Sequence, residues 1–175
     1  MKTSVALIGF MGTGKTAVGK LLAGKLGRRF IELDDLIERK AGKSISEIFK
    51  HDGEIAFREL EIEAVKDIAG TKKAVIACGG GVVLNKINMD RLKKECIVVY
   101  LTASAGIILK RLSGDAGRRP LLAVPNRLDR IREMSRSRQP YYRQAADIII
   151  NTSRLSAKLV AMRIEEELRD NESFH

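Results

Sequence analysis

Short apolar runs alternate along this chain with longer stretches whose apolar residues recur every three or four positions. The short runs predict buried strands, at residues 4–8, 30–33, 74–78, 97–101 and 147–150. The recurring apolar positions predict amphipathic helices, at residues 15–26, 53–69, 104–112, 127–145 and 155–168. Ser44, followed three residues later by Glu47, is typical of a capping box and predicts another short helix. Strands that alternate with helices favour a parallel sheet covered on both faces, so we predict a three-layer α/β fold.

The length and composition narrow the class of protein. A chain of 175 residues fits one compact domain, which we expect to span residues 1–175. Two cysteines and two histidines exclude a disulfide scaffold and a Cys/His zinc site. No apolar run approaches the ~18 residues of a membrane span, and the apolar opening lacks the features of a signal peptide. We therefore expect a cytoplasmic protein, monomeric and without a membrane partner.

The charge predicts an anionic partner. The formal net charge is +10, which suits a nucleic acid, a membrane surface or a small phosphate compound. A basic ATP-dependent nucleic-acid-binding protein is thus one hypothesis. Aromatic residues make up only 5% of the chain, there is no tryptophan, and no nucleic-acid-binding motif occurs. The sequence therefore favours a small anionic partner over a nucleic acid.

A phosphate-binding motif follows the first predicted strand. The segment GFMGTGKT at residues 9–16 matches G-x-x-x-x-G-K-[ST] at every fixed position, and a predicted helix begins inside it. Such a loop directs backbone N–H groups at phosphate oxygens, while Lys15 reaches the β/γ-phosphates and the Thr16 hydroxyl ligates Mg²⁺. We predict that ATP and Mg²⁺ bind here, with ATP contacted by Gly12, Thr13, Gly14, Lys15, Thr16 and Ala17.

A carboxylate near Mg²⁺ must come from outside the usual place, because no acidic residue closes the apolar strand at residues 74–78. The nearest candidates are Glu32, Asp34 and Asp35, at the end of the second strand. Asp34 or Asp35 could instead cap the helix that follows.

Three further features could meet at the carboxyl ends of the strands, where open α/β sheets bind ligands. They are Arg58, the triple glycine at residues 79–81, and the arginines of residues 118–138. Each has a structural alternative: ion pairs of Arg58 with Glu54 and Glu61, a tight turn, and a solvated helix face. Residues 113–126 contain two glycines and two prolines, and a loop of this length predicts a lid, which we expect to be mobile.

Taken together, the motifs resemble those of the shikimate kinase family. The resemblance covers nearly the whole chain and rests on GFMGTGKT at 9–16, ELDDLIE at 32–38, SISEIF at 44–49, DGEIAFRELE at 52–61, CGGGVV at 78–83, RRPLL at 118–122 and SRQPYYRQAAD at 137–147. Other P-loop kinases of small molecules, such as gluconate kinases, share the first motif but not this set.

The resemblance implies a P-loop fold and transfer of the γ-phosphoryl group of ATP to the 3-hydroxyl of shikimate. It also implies a role for each matching residue. Asp34 would bind the acceptor hydroxyls, Arg58 and Arg138 the shikimate carboxylate, and Gly80 the substrate through its N–H. Gly79 and Gly81 would complete the substrate site, and Arg119 on the lid would contact ATP and the transferred phosphate. The catalytic residues would be Lys15, Asp34 and Arg119.

Two positions depart from the family's pattern. The family commonly has Asp where this chain has Glu32, which we expect to hold Mg²⁺ through a bound water. The adenine-side Arg or Gln of the family falls on Leu155, with Arg154 beside it, and no adenine contact is assigned.

Overall fold

A parallel sheet forms the centre of the protein. The computed structural model describes residues 1–114 and 119–175. Within them the strands are β1 (Ser4–Ile8), β2 (Arg29–Glu32), β3 (Ala74–Ala77), β4 (Cys96–Thr102) and β5 (Ile148–Asn151). The order across the sheet is β2-β3-β1-β4-β5, and each strand is parallel to its neighbours. Strand β1 therefore lies at the centre, with Val5 paired to Val75 on one side and to Ile97 on the other.

Helices cover the sheet. They are α1 (Lys15–Leu26), α2 (Leu33–Ala41), α3 (Ile45–His51), α4 (Gly53–Ile68), α5 (Lys86–Leu92), α6 (Ala105–Arg111), α7 (Arg127–Ala145) and α8 (Ala157–Arg169). Two 3-10 helices occur at Val82–Leu84 and Pro120–Leu122. Among the described residues, none of these helices combines the length and the apolar composition that a membrane crossing requires.

The hydrophobic core has a layer on each face of the sheet. Along β1, Ala6 and Ile8 belong to the layer beneath α2–α5 and α7, whereas Val5 and Leu7 belong to the layer beneath α1 and α8. Alternate residues of a strand point to opposite faces, so a strand covered on both sides needs a continuous apolar run. This arrangement confirms the predicted three-layer α/β fold with a central parallel sheet.

The predicted strands and long helices lie within two residues of their observed bounds. Residue 33 was expected in a strand but begins α2. Helix α5 was not predicted, because seven residues carry too short a periodic pattern to be distinguished from a loop. The sequence feature that marks the start of this helix is Asn85. Its side chain accepts a hydrogen bond from the Ile87 N–H at 3.1 Å and so caps the helix.

A third apolar cluster holds the segment that follows residue 119. It consists of Phe10, Ile108, Leu112, Leu122, Ile131 and Met134. These residues come from the phosphate loop, α6, the second 3-10 helix and α7. The predicted lid spans residues 113–126, of which residues 115–118 lie outside the described part. Leu122 is only 1% exposed, and its N–H donates to the Arg119 carbonyl at 2.9 Å, so Arg119 is held near the carboxyl edge of the sheet.

Candidate active site

The loop between β1 and α1 has the backbone shape that phosphate binding requires. Gly14 is in the left-handed region, with φ of 101°, at the N-cap of α1. Gly9 also has positive φ, and a Cβ there would lie 2.3 Å from the Leu101 carbonyl oxygen. Thr13 is buried, and its hydroxyl donates to the Phe10 carbonyl at 2.8 Å. Thr13 therefore braces the loop from within, while its neighbours line the cavity above it.

Lys15 lies beside this cavity with its ammonium group drawn into the loop. Its Nζ donates to the carbonyls of Gly9 at 2.8 Å and Phe10 at 2.9 Å. Withdrawal of the ammonium from solvent lowers the pKa of Lys15 to about 8, although the negative charge of Asp34 acts in the opposite direction. The cation is thus held where the terminal phosphates of a nucleotide would lie.

The side chains of Thr16 and Glu32 place two oxygen atoms that could ligate a metal ion close together at the start of α1. The Thr16 hydroxyl donates to Glu32 Oε2 at 2.6 Å. Burial raises the pKa of Glu32, and the Thr16 hydrogen bond opposes the shift. Within the described residues no group of three or more His, Cys, Asp or Glu side chains could hold a metal ion unaided. Hydroxyl and carboxylate oxygens suit Mg²⁺, which takes few protein ligands and completes its shell with phosphates and water. The pair therefore fits a magnesium ion that arrives with a nucleotide.

Two cavities meet above the carboxyl edge of the sheet. The smaller, about 270 Å³, lies over the phosphate loop and is lined by Gly12, Gly14, Lys15, Thr16, Ala17 and Glu32, among others. The larger, about 480 Å³, is lined by Arg58, Gly81 and Arg138, among others. Both cavities are bordered by Met11, Asp34, Gly79, Gly80 and Arg119. The structure thus brings together the predicted nucleotide-binding and substrate-binding residues, with Asp34 and Arg119 at the boundary.

The three acidic candidates at the end of β2 face different surroundings. Glu32 borders the phosphate-loop cavity, Asp35 borders the larger cavity, and Asp34 borders both. Neither aspartate is the N-cap of α2, because that position is Glu32. The capping interpretation of Asp34 and Asp35 is therefore wrong.

Asp34 is poised at the boundary with one oxygen unpaired. Its Oδ1 is inaccessible to solvent and has no hydrogen-bond partner in the described protein. Burial raises the pKa of Asp34, and the positive charges of Lys15 and Arg119 oppose that rise. A Cβ on Gly79 would lie 3.0 Å from this oxygen, so glycine leaves room for the carboxylate.

Arg58 makes the predicted ion pairs and also borders the larger cavity. Its Nη1 is 3.1 Å from Glu61 Oε1 and its Nη2 is 3.2 Å from Glu54 Oε1, so the predicted ion pairs are present. The same guanidinium borders the larger cavity against Gly81, where a Cβ would lie 2.2 Å from Nη1. Glu61 is buried, and its pKa is raised by burial against the opposing charge of Arg58. The ion pairs thus hold the guanidinium at the cavity wall.

Arg138 and Arg119 complete the positive side of the larger cavity. Arg138 is only 6% exposed, and its guanidinium lies 5.9 Å from the centre of the Phe10 ring. Arg119 has a buried Nε without a hydrogen-bond partner in the described protein. Buried polar groups are normally paired. Glu61 Oε2 is likewise buried without a partner in the described protein, and with Asp34 Oδ1 and Arg119 Nε around the same cavity it points to a polar ligand with both anionic and hydroxyl groups.

Arg111 is a site residue that the sequence did not single out. Its guanidinium donates to the carbonyls of Gly12 at 3.2 Å and Thr152 at 2.8 Å. The side chain also borders the phosphate-loop cavity. In the sequence it is an ordinary basic residue in the last turn of a helix. Only the fold brings it to Thr152 in the loop after β5.

Comparison with known proteins decides the family. The model of the family described as shikimate kinase matches residues 11–169. This chain belongs to the shikimate kinase family. It is similar to the shikimate kinase of Thermodesulfovibrio yellowstonii, at 48% identity over 94% of each chain. It is also similar to that of Symbiobacterium thermophilum, at 42% identity over 95% of this chain and 97% of the relative.

Solved structures of shikimate kinases share the fold. The enzyme from Acinetobacter baumannii in complex with shikimate matches with a TM-score of 0.94 and 37% identity, over 98% of this chain and 96% of that one. The shikimate kinase from Aquifex aeolicus matches with a TM-score of 0.84 and 32% identity, over 97% and 98%. The comparisons confirm the predicted P-loop α/β fold and the class of enzyme, an ATP-dependent kinase.

Proposed function

We propose that this shikimate kinase uses the two adjoining cavities for its two substrates, and that phosphoryl transfer takes place at their shared boundary. The γ-phosphoryl group of ATP passes to the 3-hydroxyl of shikimate, giving shikimate 3-phosphate and ADP for the synthesis of aromatic amino acids. The observation that carries this proposal is the position of Asp34 and Arg119, which border both cavities. Because ATP is the donor, we place the enzyme in the cytoplasm, and we expect a monomer, since described residues of a single chain line both cavities.

The smaller cavity is the ATP side. The backbone N–H groups of the loop and the N-terminus of α1 would receive the phosphates, and Lys15 would turn from its carbonyl partners to the β/γ-oxygens. Thr16 would hold Mg²⁺ directly and Glu32 through a water molecule. When bound, Mg²⁺ would neutralise charge on the β- and γ-phosphates.

The larger cavity is the shikimate side. The forked guanidinium groups of Arg58 and Arg138 suit a planar carboxylate, which a lysine would bind with less directional specificity. Asp34, at the other end, would bind the hydroxyl groups, with the N–H of Gly80 as a further donor. The related Acinetobacter baumannii enzyme in complex with shikimate supports this assignment of the acceptor.

The transfer itself asks for positioning and charge stabilisation rather than covalent catalysis. The shikimate 3-oxygen forms a bond to the γ-phosphorus while the bond to the ADP oxygen breaks. Asp34 orients the hydroxyl and takes its proton late in the step, a role that its raised pKa favours. Lys15 and Arg119 stabilise the charge on the transferred group.

The test of this proposal is ADP release measured with a coupled assay in the presence and absence of shikimate. We expect strong stimulation by shikimate, and little by its methyl ester, which lacks the carboxylate charge. An equal rate of ADP release with and without shikimate would contradict the substrate assignment.

A further inference from the structure

The glycine turn after β3 has one carbonyl whose partner is a side chain. The carbonyls of Gly79 and Gly81 accept hydrogen bonds from the N–H groups of Val82 at 3.1 Å and Leu84 at 3.0 Å. Those bonds belong to the 3-10 helix that follows. The Gly80 carbonyl instead accepts a hydrogen bond from the Tyr142 hydroxyl. The middle peptide of the turn is therefore held from α7, about sixty residues later in the chain.

Tyr142 is built to hold its hydroxyl in one place. The side chain is 1% exposed, and its ring stacks on that of Tyr100 with centroids 4.9 Å apart and planes at 19°. Burying a tyrosine hydroxyl without a hydrogen-bond partner destabilises the fold. Here the Gly80 carbonyl is the partner. Burial raises the pKa of Tyr142 well above its usual value, so the hydroxyl stays a donor at neutral pH.

The same hydroxyl lies beside Arg138, one helical turn earlier on α7. The Arg138 guanidinium interacts with it and opposes the rise of its pKa. Arg138 Nη1 also lies 3.7 Å from the place where a Gly80 Cβ would be. Tyr142 therefore connects Arg138, which is proposed to bind the carboxylate, to the glycine turn. Tyr142 does not line the larger cavity itself.

A peptide group is planar and trans, so its C=O and N–H point in opposite directions. With the Gly80 carbonyl directed at Tyr142, the N–H of Gly81 points away from α7. Gly81 lines the larger cavity and lies against Arg58. The orientation of this one peptide thus decides which of its two polar groups, the Gly81 N–H or the Gly80 carbonyl, is turned away from α7.

We propose that Tyr142 is a positioning residue for the acceptor substrate. Its hydroxyl fixes the Gly80–Gly81 peptide so that the Gly81 N–H, rather than the Gly80 carbonyl, faces the larger cavity beside Arg58, where a carboxylate binds. Without that hydrogen bond, the glycine peptide, which has little intrinsic conformational preference, turns its carbonyl toward the anion in part of the population. The inference rests on the proposed function only in naming shikimate as the acid.

The variant Tyr142→Phe tests the proposal, because it keeps the ring, the volume and the stacking on Tyr100. We expect KM for shikimate to rise about three- to tenfold, the equivalent of one hydrogen bond, while KM for ATP stays within about twofold. The matched control is Tyr141→Phe, which removes the hydroxyl of a neighbouring tyrosine that is 50% exposed, and it should leave both constants unchanged. A purely structural role would lower the melting temperature of Tyr142→Phe and leave both KM values at wild-type level, and that result would overturn the proposal.

A second readout is independent of catalysis. The amide ¹⁵N resonance of Gly81 reports the hydrogen bond to the Gly80 carbonyl, since both belong to one peptide group. It should shift in Tyr142→Phe, and in the wild type it should shift on addition of shikimate while that of the exposed Gly24 does not. If the variant fails to fold, the wild-type titration decides, and an unmoved Gly81 resonance overturns the proposal. If the wild type shows no ADP release with shikimate but Tyr142→Phe still shifts Gly81, the proposed substrate is wrong and the peptide contact stands.

Discussion

The two cavities of this enzyme are built in opposite ways. The phosphate-loop cavity is lined by Met11, Gly12 and residues 14–17 of one loop together with residues from elsewhere in the chain, and its predicted nucleotide contacts are mainly backbone N–H groups at a helix N-terminus. The larger cavity takes its walls from α2, α3, α4, the glycine turn, the lid and α7. Its predicted contacts are charged side chains. The predicted nucleotide contacts are therefore a property of a local turn, whereas the predicted acceptor contacts are a property of the whole fold.

The difference also concerns how each cavity holds its charges. The Lys15 ammonium donates hydrogen bonds to carbonyls of its own loop. Arg58, by contrast, is held by Glu54 and Glu61 on the same helix, and Arg138 by its burial on α7. A single substitution on the nucleotide side should thus stop the reaction, whereas a substitution on the acceptor side should mainly change which acids bind and how tightly. Four predictions test this contrast.

The largest effect is expected for Lys15→Met, which removes the cation from the phosphate loop without a large change in volume. The transition-state charge then loses a preorganised partner, and we expect kcat to fall by at least about a thousandfold. Steady-state kinetics at saturating ATP and shikimate measures this. A loss of less than tenfold would show that the cation is not needed for transfer.

Asp34→Asn tests the boundary between the cavities. The amide keeps the shape but cannot accept the hydroxyl proton, so we expect kcat to fall about a hundred- to ten-thousandfold while ATP binding, measured by calorimetry, persists. Asp35→Asn is the matched control, since Asp35 borders only the larger cavity, and it should retain most of its activity. Wild-type kcat in Asp34→Asn would remove Asp34 from the mechanism.

Arg58→Ala tests the acceptor side. Loss of a charged fork from the carboxylate should raise KM for shikimate about ten- to a hundredfold, with a much smaller change in KM for ATP. Glu54→Ala removes the exposed ion-pair partner and should have little effect, because exposed pairs contribute little free energy. Unchanged shikimate affinity in Arg58→Ala would support the ion-pair interpretation alone.

The smallest effect is a pH dependence on the nucleotide side. Burial favours the neutral amine, so the folded-state pKa of Lys15, about 8, lies below its ordinary value. The cation is present below that pH and is lost above it, so kcat/KM for ATP should fall toward a tenfold decrease per unit above about pH 8. Lys15→Arg, whose guanidinium stays charged, should lose this limb at whatever rate it retains. A wild-type profile that stays level to about pH 9.5 would contradict the assignment of the limb to Lys15.

The same contrast explains what could be predicted from the sequence. The phosphate loop, the strands and the long helices carry local patterns, so their positions followed from residue types and spacing. The resemblance to a family named Asp34, Arg58 and Arg138, but their spacing along the chain does not say that they share a cavity. Arg111 was missed because its partners, Gly12 and Thr152, are brought to it only by the order of the strands.

Tyr142 shows the same limit from another direction. In the sequence it is an apolar position on a helix, and its phenol ring does serve the core. The contact of its hydroxyl with the Gly80 carbonyl depends on how α7 packs against the glycine turn, and no local pattern encodes that packing. Polar atoms at the ends of core side chains are therefore where a pattern of apolar positions says least about function.

A crystal structure with shikimate and ADP tests the central claim most directly, namely that the two cavities meet at Asp34. We predict that the shikimate carboxylate lies against Arg58 and Arg138. Its 3-hydroxyl should lie within about 2.6–3.2 Å of the Asp34 carboxylate and face the phosphate loop. Shikimate bound with its carboxylate at Arg119, or with its 3-hydroxyl directed away from Asp34, would contradict the account.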